Sequence, residues 1–218
     1  VAISLIGEWR KATRRLAQLE QLSRRNADKA VRRNASNLRD NMKEAIVDGK
    51  NLAPNAPLTM QVKGSSKPLV DHGDLLNSID YMQIAPAVYW TGIPAFKKTK
   101  DGIGIADIAT VHVFGATIKP KRGRALALPA TREAARLARK YGSVRAIPGL
   151  FRPHGTKVLA RKSNNEFGFD IMFILMEQVI IPPRDFMMPT YNALVPTMIN
   201  RNREAAAATL RGQVYIGT

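Results

Sequence analysis

Phe167-Gly168-Phe169-Asp170-Ile171-Met172-Phe173-Ile174-Leu175-Met176 is the stretch on which the fold class turns. Apolar residues stand at every second position from Phe167 to Leu175, the period of a strand with one buried face. Met172, Ile174 and Met176 fill the alternate positions, so the later half of the strand is expected to be covered on both faces. Downstream, Pro182 and Pro183 end extended structure, and a helix is expected from about Pro189 to Arg211. Pro189 suits its first turn, Pro196 kinks it and Gly212 closes it.

Upstream, no Gly or Pro occurs from Glu8 to Val47, and Leu16, Leu19, Ala27, Ala30, Val31, Leu38, Met42, Ala45 and Ile46 recur mostly at spacings of three and four. That pattern predicts one long amphipathic helix or a pair of helices, ended at Gly49. Unbroken, it would reach about 60 Å at 1.5 Å per residue, longer than the domain needs internally, which points to contact with a neighbour. Its Arg14-Arg15, Arg24-Arg25 and Arg32-Arg33 pairs suit a solvated face, or a phosphate or acidic partner. The Pro54, Pro57, Gly64, Ser65, Ser66, Pro68 run is expected to be a loop or flexible arm, followed by a short helix from Asp74 to Ile79. Tyr81 to Trp90 alternates as a strand that Pro86 confines to an edge or bulge. A further helix is expected from Thr131 to Tyr141, with Thr131 as N-cap. The fold class is therefore α+β: a long N-terminal helix over 1–48, then 49–218 with a small, mainly antiparallel sheet, a basic extension at 119–165 and a C-terminal helix packed on the sheet.

Charge is the unusual feature. The 218 residues carry 34 Lys and Arg against 17 Asp and Glu, a net +17. Residues 119–162 hold thirteen basic residues and one acid, Glu133, so 13 − 1 = +12 of that excess lies in one segment. Such a concentration must be solvated, paired with acidic protein or neutralised by phosphate. Without cysteine there are no disulfides and no thiolate metal sites. The longest apolar candidate for a membrane span, Ile171 to Pro183, is interrupted by Glu177, and Val1 to Ile6 does not have the form of a signal peptide.

Catalytic templates fit poorly. His72, His112 and His154 lie 40 and 42 residues apart, so no pair has the i, i+4 spacing of a zinc-protease helix. Asp71, His72 and Ser78 are triad residue types at close range in sequence, which a loop contact explains as well. Gly102, Gly104 and Gly115 match neither a dinucleotide fingerprint nor a P-loop, and Asp101-Gly102 suits a turn. No enzyme activity, metal or cofactor is expected.

Three motifs follow in order. The first is Pro68-Leu69-Val70-Asp71-His72-Gly73-Asp74-Leu75-Leu76-Asn77-Ser78-Ile79. The second is Ile108-Ala109-Thr110-Val111-His112-Val113-Phe114-Gly115-Ala116-Thr117-Ile118-Lys119-Pro120, with Gly123-Arg124-Ala125-Leu126-Ala127-Leu128-Pro129 after it. The third is Val179-Ile180-Ile181-Pro182-Pro183-Arg184-Asp185-Phe186-Met187. On physical grounds Asp71 or Asp74 caps the short helix, whose Leu75, Leu76 and Ile79 are buried, and Gly73 allows the bend before it. Gly115 lets the chain turn after Val111, Val113 and Phe114 enter the core, with His112 pointing elsewhere. His112 suits a structural hydrogen bond or a subunit contact. Arg184 suits a carboxylate at the start of the last helix, within the chain or across an interface.

Over residues 50–210 this series resembles the phage virion morphogenesis family and the related tail-completion, or neck, proteins of long-tailed bacteriophages. The chain departs from the family pattern at His72, where Thr is common, at Ala116, where a second Gly is usual, and at Asp185, where Pro is frequent. The resemblance implies a structural virion protein acting in tail completion and head-tail joining. It would sit in the virion neck or tail, after assembly in the host cytoplasm, as a subunit of a ring with six-fold symmetry. The implied partners are copies of itself and tail-terminator, tail-tube or head-connector proteins, with no membrane. The motif positions it implies are Asp71, Gly73, Leu75, Ser78, His112, Gly115, Pro120, Pro129, Pro182, Arg184 and Phe186. A second reading, from charge alone, is a sequence-nonspecific nucleic-acid-binding protein. Lys119, Lys121, Arg122, Arg124, Arg132, Arg136, Arg139 and Lys140 are the candidate contacts to DNA or to an acidic partner. Only Tyr141 and Phe151 offer rings for stacking there.

Overall fold

The structure, a computed structural model, describes residues 7–49, 51–100, 102–121 and 123–217. The expectations for Val1 to Ile6, for Asp101 in its turn and for Arg122 fall outside these residues. In chain order the elements are α1 (Trp9–Asp48), α2 (Pro57–Lys63), α3 (Asp74–Ser78), β1 (Asp80–Ala85), β2 (Val88–Gly92) and α4 (Ile105–Phe114). Then come β3 (Ala116–Ile118), β4 (Leu126–Pro129), α5 (Arg132–Tyr141), β5 (Leu150–Phe151), β6 (Val158–Lys162), β7 (Phe169–Met176), β8 (Val179–Ile181) and α6 (Met188–Leu210). This is the α+β class that the periodicities imply. The compact units are not cut once near residue 48, however. The described residues up to Ala45, Asn77–Lys97 and those from Phe186 onward form one unit; Ile46–Leu76 and Lys98–Asp185 form the other.

In the first unit, α1 is continuous, and its stripe of Asn26, Ala30 and Asn34 at i, i+4, i+8 is buried. Ala30 packs with Ala205 of α6 and with Tyr215, which follows that helix. Polar residues set the register. Asn26, 1 % exposed, accepts from the Tyr215 N–H at 2.8 Å and donates to Thr209 Oγ1 and the Gln213 carbonyl. Asn34 donates to Asn202 Oδ1 and accepts from Arg201 Nη1 at 2.6 Å.

Tyr81 to Trp90, expected as one strand, is a hairpin. β1 and β2 pair antiparallel with Ala85 opposite Val88, so Pro86 and Ala87 are the turn. Pro86 takes the position that wants a fixed φ, and Ala87 adopts a positive φ of 56°, as the third position of a type II turn requires. Asp28 of α1 holds that unfavourable backbone by accepting from the Ala87 N–H at 3.1 Å, and from Gln83 Nε2 and the Tyr89 hydroxyl.

The second unit is built on a four-stranded antiparallel sheet, order β4-β7-β6-β5. The basic segment expected as a loop or hairpin extension supplies β4, α5, β5 and β6 of this core, because its apolar residues alternate with its cations. Ala134 of α5, Ile147, Met172 and Phe173 form the buried cluster. Fully buried Phe173 alone contributes roughly 2–3 kcal/mol. β7 departs from strict alternation. The β6–β7 register shifts between Leu159, opposite Phe173, and Ala160, opposite Ile171, leaving Met172 as the extra residue of a bulge. Ile171 is accordingly turned out while Met172 and Phe173 are both buried, and Phe167 lies before the strand and is exposed. Pro129, lacking an N–H, ends the edge strand β4. Thr131 caps α5 as expected, its Oγ1 accepting from the Ala134 N–H at 3.1 Å.

Two further expectations fail in this unit. Residues 57–63, expected within a loop or arm, are helical, with Pro57 in the first turn and Gly64 in the left-handed cap conformation. Val111 to Phe114 do not enter the core as a group: they end α4, which buries Ile105 and Ala109 at i, i+4 and leaves Phe114 78 % exposed. Gly115 does turn the chain. Its φ is +73°, and a Cβ there would lie 2.9 Å from the Ile181 carbonyl oxygen, so the close pairing of β3 with β8 requires glycine.

Candidate functional site

The third motif leaves β8 through Pro182 and Pro183 and turns Arg184 inward, where it is 7 % exposed. Its N–H donates to the His112 carbonyl at 2.6 Å, tying the exit of β8 to the last turn of α4. The guanidinium then engages three groups. Nε donates to the Ala53 carbonyl at 2.7 Å, Nη2 to the Pro54 carbonyl at 2.9 Å, and Nη1 stands 3.3 Å from His112 Nδ1. The carboxylate expected for this fork is replaced by backbone carbonyls 130 and 131 residues earlier.

Arginine is donor-only, so the geometry makes His112 Nδ1 an acceptor and leaves the imidazole proton on Nε2. Burial, then the charges of Arg184 and Lys63, hold the His112 pKa below its ordinary value. The ring is therefore neutral at pH 7 and acts as a structural acceptor, turned towards Arg184. Burial also lowers the pKa of Arg184.

Beside this knot a cavity of about 460 Å³ is lined by Asp71, His72, Gly73 and Leu75 of the first motif and by Ile108 and His112 of the second. Sequence order thus becomes spatial convergence. Gly73, with φ +82°, makes the bend before α3, Asp74 lies in the first turn of that helix, and Leu75 is buried. Asp71 pairs with its neighbour His72, Oδ2 to Nδ1 3.1 Å, and both side chains are more than half exposed. Ser78 is buried, so it does not offer a reachable nucleophile, and Phe186 is buried in the first unit. Pro120 and Pro182 are half-buried. Among the described residues no group of three or more His, Cys, Asp or Glu side chains is placed to hold a metal ion.

A second cavity, about 640 Å³, lies between α2 and α5. Arg132, Arg136 and Arg139 line it from α5 and Lys63 from α2. These three arginines come together from the charge-selected set. Lys119, Lys121 and Arg124 do not line the cavity, Lys140 leans over the Tyr141 ring at 5.5 Å, and Arg122 lies outside the described residues. Lys63 was not singled out by sequence. The overlooked signal was Pro57 followed by six residues and Gly64, a first-turn proline and a closing glycine around one short helix. Burial lowers the Lys63 pKa, partly offset by Asp71.

The fold and site define a two-unit α+β protein whose motif residues Arg184 and His112 are held by structural hydrogen bonds. The chain matches no protein-family model, no curated protein and no solved structure. Among the described residues no helix is long and apolar enough to cross a membrane.

Proposed function

We propose that this chain is a structural protein of a tailed-phage virion, acting at the neck or tail end in tail completion and head-tail joining as one subunit of a ring. The observation that carries the reading is the ordered motif series, drawn together in space by Arg184, His112 and the cavity beside them. The Arg184 donors are committed to carbonyls and a neutral imidazole, which suits a scaffold better than a reaction centre. Large apolar side chains left in water, among them Leu16, Ile84, Phe114 and Ile180, suit a protein that completes its burial on assembly. A ring also needs two different complementary surfaces on each subunit, and a chain of two compact units has two separate bodies on which to carry them.

The test is electron microscopy of particles made by the same phage with this gene deleted. Full heads lying beside unjoined tails support the reading. Normal particles accompanied by a defect in DNA metabolism overturn it. That second outcome belongs to sequence-nonspecific nucleic-acid binding, favoured by one observation: among the described residues Arg132, Arg136 and Arg139 of α5 form no ion pair. Phe151, however, packs edge-on against Phe169, centroids 6.1 Å apart, which ties up one of the two rings available for bases.

A further inference from the structure

Arg132, Arg136 and Arg139 stand at i, i+4 and i+7 of α5, on one face over about 10 Å of helix. All three are exposed, and none makes a hydrogen bond or ion pair among the described residues. Opposite them, Lys63 is half-buried, donating to the Lys67 carbonyl at 2.7 Å. Arg132 lies directly over Gly64, where any side chain would collide with its guanidinium, so the cap of α2 is shaped to admit it. Four cations and one carboxylate, Asp71, thus border a single cavity. Between the cations its wall is apolar: Leu58 and Val62 of α2, Leu128 and Pro129 of β4, and Val179 of β8.

These two features together select the occupant. A phosphate backbone would satisfy the arginines but would set its anionic oxygens against Leu58 and Val62, where desolvation goes uncompensated. Among the described residues no Phe, Tyr or Trp lines the cavity, and His72 is the one ring that borders it, fewer than the successive stacking rings a bound strand uses. A cavity of about 640 Å³ holds a few side chains, well short of a duplex. We propose that the cleft between α2 and α5 is a docking site for an acidic segment of a partner protein. Its apolar side chains would seat on Leu58 and Val62, and its carboxylates would be gripped by Arg132, Arg136, Arg139 and Lys63. Arginine forks suit carboxylates bidentately, and a carboxylate beside Lys63 relieves the cost of burying its ammonium. The inference deepens the assembly reading by giving a partner its chemistry. Its test is binding to the isolated full chain, so either can fail while the other stands.

The experiment is selection of a displayed random-peptide library on the full chain, followed by titration of the selected peptides as labelled probes. Peptides should emerge with at least two carboxylates flanking an apolar residue. Their affinity should fall about tenfold or more in the double variant Arg136→Glu, Arg139→Glu, and severalfold in Leu58→Ser. The two arginines are exposed and make no hydrogen bond or ion pair among the described residues, so the double variant should stay folded, which circular dichroism checks. Selection without carboxylate enrichment, or binding indifferent to the charge reversal, overturns the proposal. So does a short DNA duplex that displaces the peptides and binds more tightly, which would give the cleft to nucleic acid.

Discussion

Arg184 concentrates the second unit's organisation in one side chain, because its donors reach the chain before α2 and the end of α4. Replacing it with Ala strips the Ala53 and Pro54 carbonyls of their donors, and the expected loss is about 3 kcal/mol, read as a lowered urea midpoint. Arg184→Lys should recover little of this, since one ammonium on a flexible stem cannot span two carbonyls and an imidazole. A lysine variant as stable as the parent would show that charge, not the fork, matters. His112 adds a pH dependence with a definite sign. Its folded pKa lies below the unfolded value of 6.5, so near 6.5 and below the unfolded chain binds more protons. The contribution is intact above pH 6.5 and is lost as pH falls from there towards the folded pKa. Urea midpoints across that window should fall more steeply for the parent than for His112→Gln, whose amide oxygen still accepts from Arg184. Parallel curves would remove His112 as the cause.

Between elements, buried polar residues do the positioning that apolar periodicity cannot. Asn26 ties the tail after α6 back to α1, and Asn26→Ala leaves the Tyr215 N–H without its acceptor. The expected cost is about 2 kcal/mol, with faster hydrogen exchange at Tyr215 and its neighbours. Tyr215→Phe is the contrast. The Tyr215 hydroxyl is buried without a partner among the described residues, so removing it should leave stability unchanged or raise it slightly. A large loss in that variant would mean that the hydroxyl is satisfied by water. These cases mark what local sequence can carry. The span of α1, the Thr131 cap and the turn at Gly115 were legible because each is written within a few residues as periodicity, a side-chain oxygen or a required glycine. The hairpin is not legible locally, because Pro86 fits the edge of a single strand as well as it fits a turn, while Asp28, far away in sequence, stabilises the turn. α4 was missed because its β-branched residues imitate a strand, and the bulge at Met172 because a register shift belongs to two strands at once. At the site, Arg184, His112 and the α5 arginines were legible as residues. Their partners were not, since Ala53 and Pro54 contribute only backbone oxygens and carry no side-chain signal.

At the scale of the whole molecule, two long-range properties oppose each other: exposed apolar side chains favour association, and a net charge of +17 resists bringing like subunits together. Salt separates them. Screening shortens the reach of the repulsion to about 10 Å at 0.1 M, while the drive to bury Leu16, Ile84, Phe114, Ile180 and Leu210 is almost unaffected. Self-association into a ring should therefore strengthen between about 50 and about 200 mM salt, whereas binding to DNA through phosphate contacts must weaken over the same range. Sedimentation velocity of the full chain, alone and with a labelled duplex, measures both. A growing oligomer with fading DNA binding fits a protein whose main contacts are to protein. If the oligomer dissolves as salt rises, its contacts are ionic and burial of apolar surface is not what joins the subunits. If the chain stays monomeric throughout while holding duplex tightly at low salt, the positive charge is its binding energy and the ring reading fails on thermodynamic grounds.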